Sequence, residues 1–298
     1  MIKKQLIILF VVMGLFLVPI QTSAQVFGPV SYVALGDSLA AGQTPTREID
    51  TGYSDLIAQE IGRNQPLAFF SKDLAFPGFT TTDVLERLQS KEAKPLLQNA
   101  NVITISAGAN DLLRLIQSDA KSGSLTFQQI PVDYSLNNVR KNMINILSDL
   151  KKIAPKAQVY VMGYYFAYPH ARDSQKAGIA QQLNRLNEIL AKVAEEADVQ
   201  FVSVDAAFGD NATGKVPNPA DVHPNVEGYR DMANSFFNVY ASGAMQVVKN
   251  EIPPANPLTF EKIMQQQSLT KDTDESAILP SSLLGKELLA LAELKPLI

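Results

Sequence analysis

The chain has 298 residues, of which 46% are apolar and 19% charged, with a formal net charge of -4 and no cysteine. This is the balance of a globular protein, and the length is enough for one large domain or two small ones with a substantial core. No basic run supplies the face a nucleic-acid partner needs, and the lack of cysteine excludes disulfides, a thiol nucleophile and a thiolate metal site.

Residues 1–24 read as a secretory signal. Lys3 and Lys4 precede the 15-residue apolar run Leu6 to Ile20, and Thr22-Ser23-Ala24 offers small residues for cleavage, leaving Gln25 as the mature start. The run is shorter than the ~20 residues a bilayer-spanning helix needs; the alternative is an uncleaved membrane anchor. The expected location is secreted, at a bacterial envelope, and the absence of cysteine suits an exporter with a single membrane.

Beyond Gln25, short β-rich runs alternate with helical patterns, which argues for a parallel sheet covered by helices. The expected strands are Val30–Leu35, Leu67–Leu74, Asn101–Ser106, Gln158–Gly163 and Gln200–Val204. Leu136, Val139, Met143, Leu147 and Leu150 mark one helix. Ile179, Leu183, Leu186, Leu190, Val193 and Ala197 mark a second, and Tyr229, Ala233, Phe236 and Tyr240 a third. These stripes are expected to be core. Ser118 to Tyr134, polar and rich in Ser and Gln, reads as a loop insertion. Residues 250–298 open with Pro253, Pro254 and Pro257 and then carry two short apolar patterns. This tail could pack on the domain, act as a lid or contact a membrane or cell wall.

Only two histidines are present, His170 and His223. Histidine suits general-base work at neutral pH. His223 lies in Asp221-Val222-His223-Pro224, after a Pro/Asn-rich loop and before a helix, with Pro224 suited to the first helical turn. A carboxylate close in sequence could orient its ring. His170 reads as a surface or pocket-wall residue. Ser38 directly follows the first strand, at the edge where ligands bind in open parallel sheets. Gly78 follows the second strand, where a glycine lets backbone N–H groups approach a substrate. Asn110 follows the third and offers a neutral donor, although a helix cap is its commoner role. With two histidines far apart and no cysteine, no zinc site is expected, and no cofactor is called for. There is no GxSxG elbow and no P-loop.

Gly36-Asp37-Ser38-Leu39, Gly78, Gly108-Ala109-Asn110-Asp111 and Asp221-Val222-His223-Pro224 together resemble the four blocks of the GDSL, or SGNH, hydrolases, in the family's order. The resemblance spans about residues 30–245. It implies a three-layer α/β/α flavodoxin-like fold with a five-stranded parallel sheet over residues 25–249, and metal-free hydrolysis of esters or thioesters. Ser38 would be the nucleophile and His223 the base. The Ser38 and Gly78 N–H groups and the Asn110 amide would form the oxyanion hole, with Asp37 and Asp111 shaping loops. One departure stands out. The family's aspartate usually precedes the histidine by three residues, where this chain has Ala220; the acid here is Asp221, two before. Asp221 can reach the ring if the segment is extended; otherwise a backbone carbonyl, Asp205 or Asp210 would take that place.

The expected activity is that of an esterase or lipase on small-molecule or lipid esters, its acyl groove drawn from Phe76, Phe79, Leu112, Leu115 and Tyr164. The alternatives are a carbohydrate O-deacetylase of the envelope and a non-catalytic binding protein on the same fold.

Overall fold

Runs of Val, Ile, Tyr and Phe form the strands of one parallel sheet. In the computed structural model, which describes residues 28–258 apart from 120, 210 and 211, together with Lys262, these are β1 (Val30–Gly36), β2 (Leu67–Ala75), β3 (Val102–Ser106), β6 (Gln158–Met162) and β7 (Gln200–Val202). Their order is β2-β1-β3-β6-β7, with every neighbouring pair parallel. This is the doubly wound order in which the chain adds strands first to one side of β1 and then, from β3, to the other, and the crevice between β1 and β3 is where such folds bind ligands. β3, at the centre, is buried along its whole length.

Helices cover both faces. α2 (Tyr53–Asn64) packs with α9 (Val226–Tyr240) on one side. α3 (Thr81–Leu88), α6 (Gln129–Ile153) and α7 (Asp173–Glu196) pack together on the other. The apolar stripes at 136–150 and 179–193 lie on α6 and α7, as their spacing demands. Among the described residues, four shorter α-helices complete the set: α1 (Ser38–Ala41) after β1, α4 (Ala93–Gln98) after α3, α5 (Ala109–Leu113) after β3 and α8 (Asp205–Phe208) after β7.

Two expectations need correction. Ser118 to Tyr134 is not a plain loop. It contains most of an antiparallel hairpin of β4 (Gln117–Asp119) and β5 (Ser124–Thr126), and then the first turns of α6. The helix start was hidden because Ile130 and Tyr134 are 83% and 69% exposed and point away from the buried stripe. Pro131 in that first turn is tolerated, since its missing N–H would have had no intrahelical partner. Pro224 lies outside α9; Asn225 caps that helix, its side chain accepting from the Gly228 N–H at 3.2 Å.

The expected signal segment lies outside the described residues. Of the tail, residues 250–258 pack on the domain: Leu258 forms an antiparallel bridge with Ile49, and Arg63 pairs with Glu251 at 2.6 Å.

Candidate active site

The site is built at the β1–β3 switch point. Gly36 ends β1 opposite Ser106 with φ of +136°, and a Cβ there would lie 2.0 Å from the Ser106 carbonyl oxygen, so only glycine fits. This close approach brings the turn after β1 against the end of β3. Asp37 caps α1, accepting from the Leu39 N–H at 3.0 Å. Ser38 is therefore the first residue of a short buried helix and is itself 7% exposed.

Asp37 is buried under three donors: the Leu39 N–H, the Ser106 hydroxyl at 2.9 Å and the Tyr164 hydroxyl at 2.6 Å. Burial pushes its pKa up to about 6, against the lowering effect of Tyr164, Ser106, Leu39 and His223. Tyr164, buried beside that carboxylate, has its own pKa raised well above the usual phenol range and stays a donor. The pH consequence follows from the direction. Above the ordinary aspartate pKa the unfolded chain loses this proton while the folded chain keeps it, so stability present below about pH 4 is lost as pH rises to about 6. Relative to wild type, Asp37→Asn should therefore gain stability across that interval, by up to about 3 kcal/mol, and then level off. Urea unfolding at pH 4, 5, 6 and 7 measures this; a pH-independent difference would contradict it.

Residues 221–225, between a turn and α9, adopt no regular structure. Both donors of His223 meet one oxygen of Asp221: Nδ1 lies 2.5 Å from Oδ1 and the backbone N–H 2.9 Å from it. On the far side of the ring, Nε2 is 2.7 Å from Ser38 Oγ. A carboxylate on Nδ1 favours the tautomer with the proton there, which leaves Nε2 as acceptor for the serine hydroxyl. Burial works to raise the pKa of Asp221. The hydrogen bond and charge of His223, its backbone N–H and Arg47 outweigh this and hold the carboxyl below the usual range. Asp205 instead accepts from the Ser203 hydroxyl at 2.5 Å, Asp210 lies outside the described residues, and His170 Nε2 sits 2.8 Å from the Val216 carbonyl oxygen.

Asn110 and Gly78 are brought to the same edge. The Asn110 amide donates to the Phe79 carbonyl at 2.9 Å, one residue beyond Gly78. Gly78 has φ of +83° with open space where a Cβ would lie. Its carbonyl accepts from Arg114 at 2.7 Å. Asp111 accepts from the N–H and hydroxyl of Thr81, tying α5 to the start of α3.

Beside Ser38 and His223 opens a largely apolar pocket with about 820 Å³ of empty space, its open mouth included. Leu112, Ile116, Phe127, Val132, Ile179 and Leu186 are among its walls, and Tyr164 lines it too. Phe76, Phe79 and Leu115 do not; the first two pack on each other with ring centres 5.3 Å apart. The pocket is instead cut into the α7 stripe expected to be core, at Ile179, Leu183 and Leu186, and Val132 of α6 comes from the segment expected to be a loop. Sequence reasoning missed the Tyr164 hydroxyl on Asp37. It also missed Arg47, whose Nε lies 3.4 Å from Asp221 Oδ2.

A serine, a histidine and an aspartate in hydrogen-bonded line at the carboxyl edge of a doubly wound sheet are the arrangement of a serine hydrolase. The model of the GDSL-like Lipase/Acylhydrolase family matches residues 34–230, and the chain belongs to that family of ester hydrolases. It is 21% identical over 209 residues to the uncharacterized protein YpmR of Bacillus subtilis (strain 168), a match covering 68% of this chain and 78% of that one. Among solved structures it resembles the lipase Lip_vut3 from a goat rumen metagenome, with a TM-score of 0.56 and 19% identity over 70% of this chain and 97% of that one. It also resembles a mutant of Axe2, an acetyl-xylooligosaccharide esterase from Geobacillus stearothermophilus, with a TM-score of 0.52 and 18% identity over 70% and 93%. At these identities the likeness is one of fold.

Proposed function

We propose that this protein is a serine esterase acting on carboxylic esters with an apolar acyl chain, and that it works outside the cell. The observation that carries the chemistry is the 2.7 Å contact between His223 Nε2 and Ser38 Oγ, with Asp221 on Nδ1. Ser38 Oγ attacks the ester carbonyl carbon as its proton passes to Nε2. The carbonyl oxygen becomes an oxyanion, held by the Ser38 and Gly78 N–H groups and the Asn110 amide. The intermediate collapses, the C–O bond to the alcohol breaks, and His223 returns the proton to the departing oxygen. Water then attacks the acyl-Ser38 ester, giving its proton to His223, and the carboxylic acid leaves as Ser38 Oγ is reprotonated. Asp221 keeps the imidazole oriented and balances its cation.

The apolar pocket supports the choice of an acyl chain over acetyl-carbohydrate specificity. A deacetylase needs a short polar site, whereas Leu112, Ile116, Phe127, Ile179 and Leu186 offer burial to several methylenes. Each buried methylene contributes about 0.8 kcal/mol. With p-nitrophenyl acetate, butyrate, octanoate and dodecanoate, kcat/KM should rise roughly two- to fourfold per methylene until the pocket is filled. Ser38→Ala is the control for spontaneous hydrolysis. A maximum on acetate would favour the deacetylase instead.

A further inference from the structure

The two oxygens of Asp221 have different neighbours. Oδ1 takes both donors of His223, at 2.5 and 2.9 Å. That follows from the two-residue spacing, which brings the backbone N–H and the ring of His223 to the same oxygen. Oδ2 is left facing the other way, on a side chain only 5% exposed. Among the described residues its partner is Arg47, whose Nε lies 3.4 Å away. A nearly buried carboxylate oxygen without a donor is costly, and a carboxylate held at one oxygen only can swing about that contact.

Arg47 reaches Oδ2 from a loop with an unusual build. Its backbone has φ of +65°, in the left-handed region that a non-glycine residue enters at a cost. The conformation is held by the Arg47 N–H on the Thr44 carbonyl at 2.9 Å and the Thr44 N–H on the Glu48 carbonyl at 2.8 Å. The loop is fastened on both sides. Toward the histidine segment, the Asn218 amide donates to the Pro45 carbonyl at 2.8 Å and the Tyr229 hydroxyl to the Gln43 carbonyl at 2.6 Å. Toward the tail, Ile49 and Leu258 exchange backbone hydrogen bonds of 2.9 and 2.7 Å, and the Asn256 N–H meets Asp50 Oδ2 at 3.1 Å.

We propose that Arg47 is a positioning residue for catalysis, fixing the free oxygen of Asp221 from a loop that the strap 256–258 holds in place. The proposal rests on the esterase reading above. Arg47 never reaches the ester; it acts through Asp221. The Arg47 side chain is 73% exposed, so its ion pair is of the modest surface kind, and the effect on turnover is correspondingly moderate.

The test is a double-mutant cycle in the full chain with p-nitrophenyl octanoate as substrate. Arg47→Ala should lower kcat roughly fivefold, with KM and melting temperature unchanged. In the Asp221→Asn background the same substitution should lower kcat no further, because the carboxylate it steadies is gone. Arg47→Lys should recover part of the loss. Leu258→Pro, which removes the N–H given to Ile49, should reproduce the Arg47→Ala loss and add nothing to it. Unchanged kcat in Arg47→Ala would overturn the proposal, as would an equal further loss in the Asp221→Asn background. Wild-type kcat in Leu258→Pro would overturn the role of the strap. Full turnover by Ser38→Ala would reject the esterase mechanism itself, an outcome distinct from each of these.

Discussion

Replacing His223 by alanine should reduce kcat roughly a millionfold. Among the described residues nothing else within reach of Ser38 Oγ can take its proton: His170, the other histidine, is engaged with the Val216 carbonyl, and the nearby Asp37 already holds three donors. The residual rate should come from binding and from the oxyanion donors alone. KM should change far less than kcat, because the acyl pocket walls on α5, α6 and α7 remain. Steady-state kinetics checks this, with circular dichroism to show that the buried site has kept its fold. A loss of only tenfold would mean that His223 is not the base.

Asp221→Asn should lower kcat by roughly a thousandfold to ten-thousandfold. The substitution preserves shape and removes the charge that balances an imidazolium. Its amide can also present a donor to Nδ1, which favours the tautomer with the proton on Nε2, the wrong one for accepting from Ser38. The family's usual acid position is Ala220 here, so the charge beside His223 comes from Asp221. Turnover near that of wild type would leave Ser38 and His223 standing and move the orienting role elsewhere.

How much of this could be read from the chain depends on how local each signal is. The five parallel strands are runs of β-branched and aromatic residues bounded by turn residues, and they lie within two residues of their expected ends. Ser38, Gly78, Asn110 and His223 each sit in a short motif directly after a strand or before a helix, so their gathering at one edge followed from the sheet being parallel. The start of α6 was not legible, because Ile130 and Tyr134 put large apolar side chains on the solvent face and broke the stripe. The acyl pocket was misplaced for a related reason. Periodicity marks Ile179, Leu183 and Leu186 as buried, but it does not distinguish burial against a neighbouring helix from burial at a cavity wall. Arg47 gave no signal at all. It meets Asp221 across 174 residues of chain, from a loop whose left-handed turn no glycine announces.

Tyr164 is an intermediate case. Its apolar ring suited a pocket wall, and it is one. Its hydroxyl also holds Asp37, which caps the helix that carries Ser38. The serine is thus positioned by a buried acid that costs stability above pH 6, the kind of conflict that marks functional sites.

The most direct test of Ser38 as the nucleophile is the mass of the intact protein after exposure to an alkyl fluorophosphonate, followed by peptide mapping. One adduct per chain is expected, on Ser38, with no labelling of Ser38→Ala and much slower labelling of His223→Ala. An adduct on another residue, or labelling of Ser38→Ala at the wild-type rate, would contradict it.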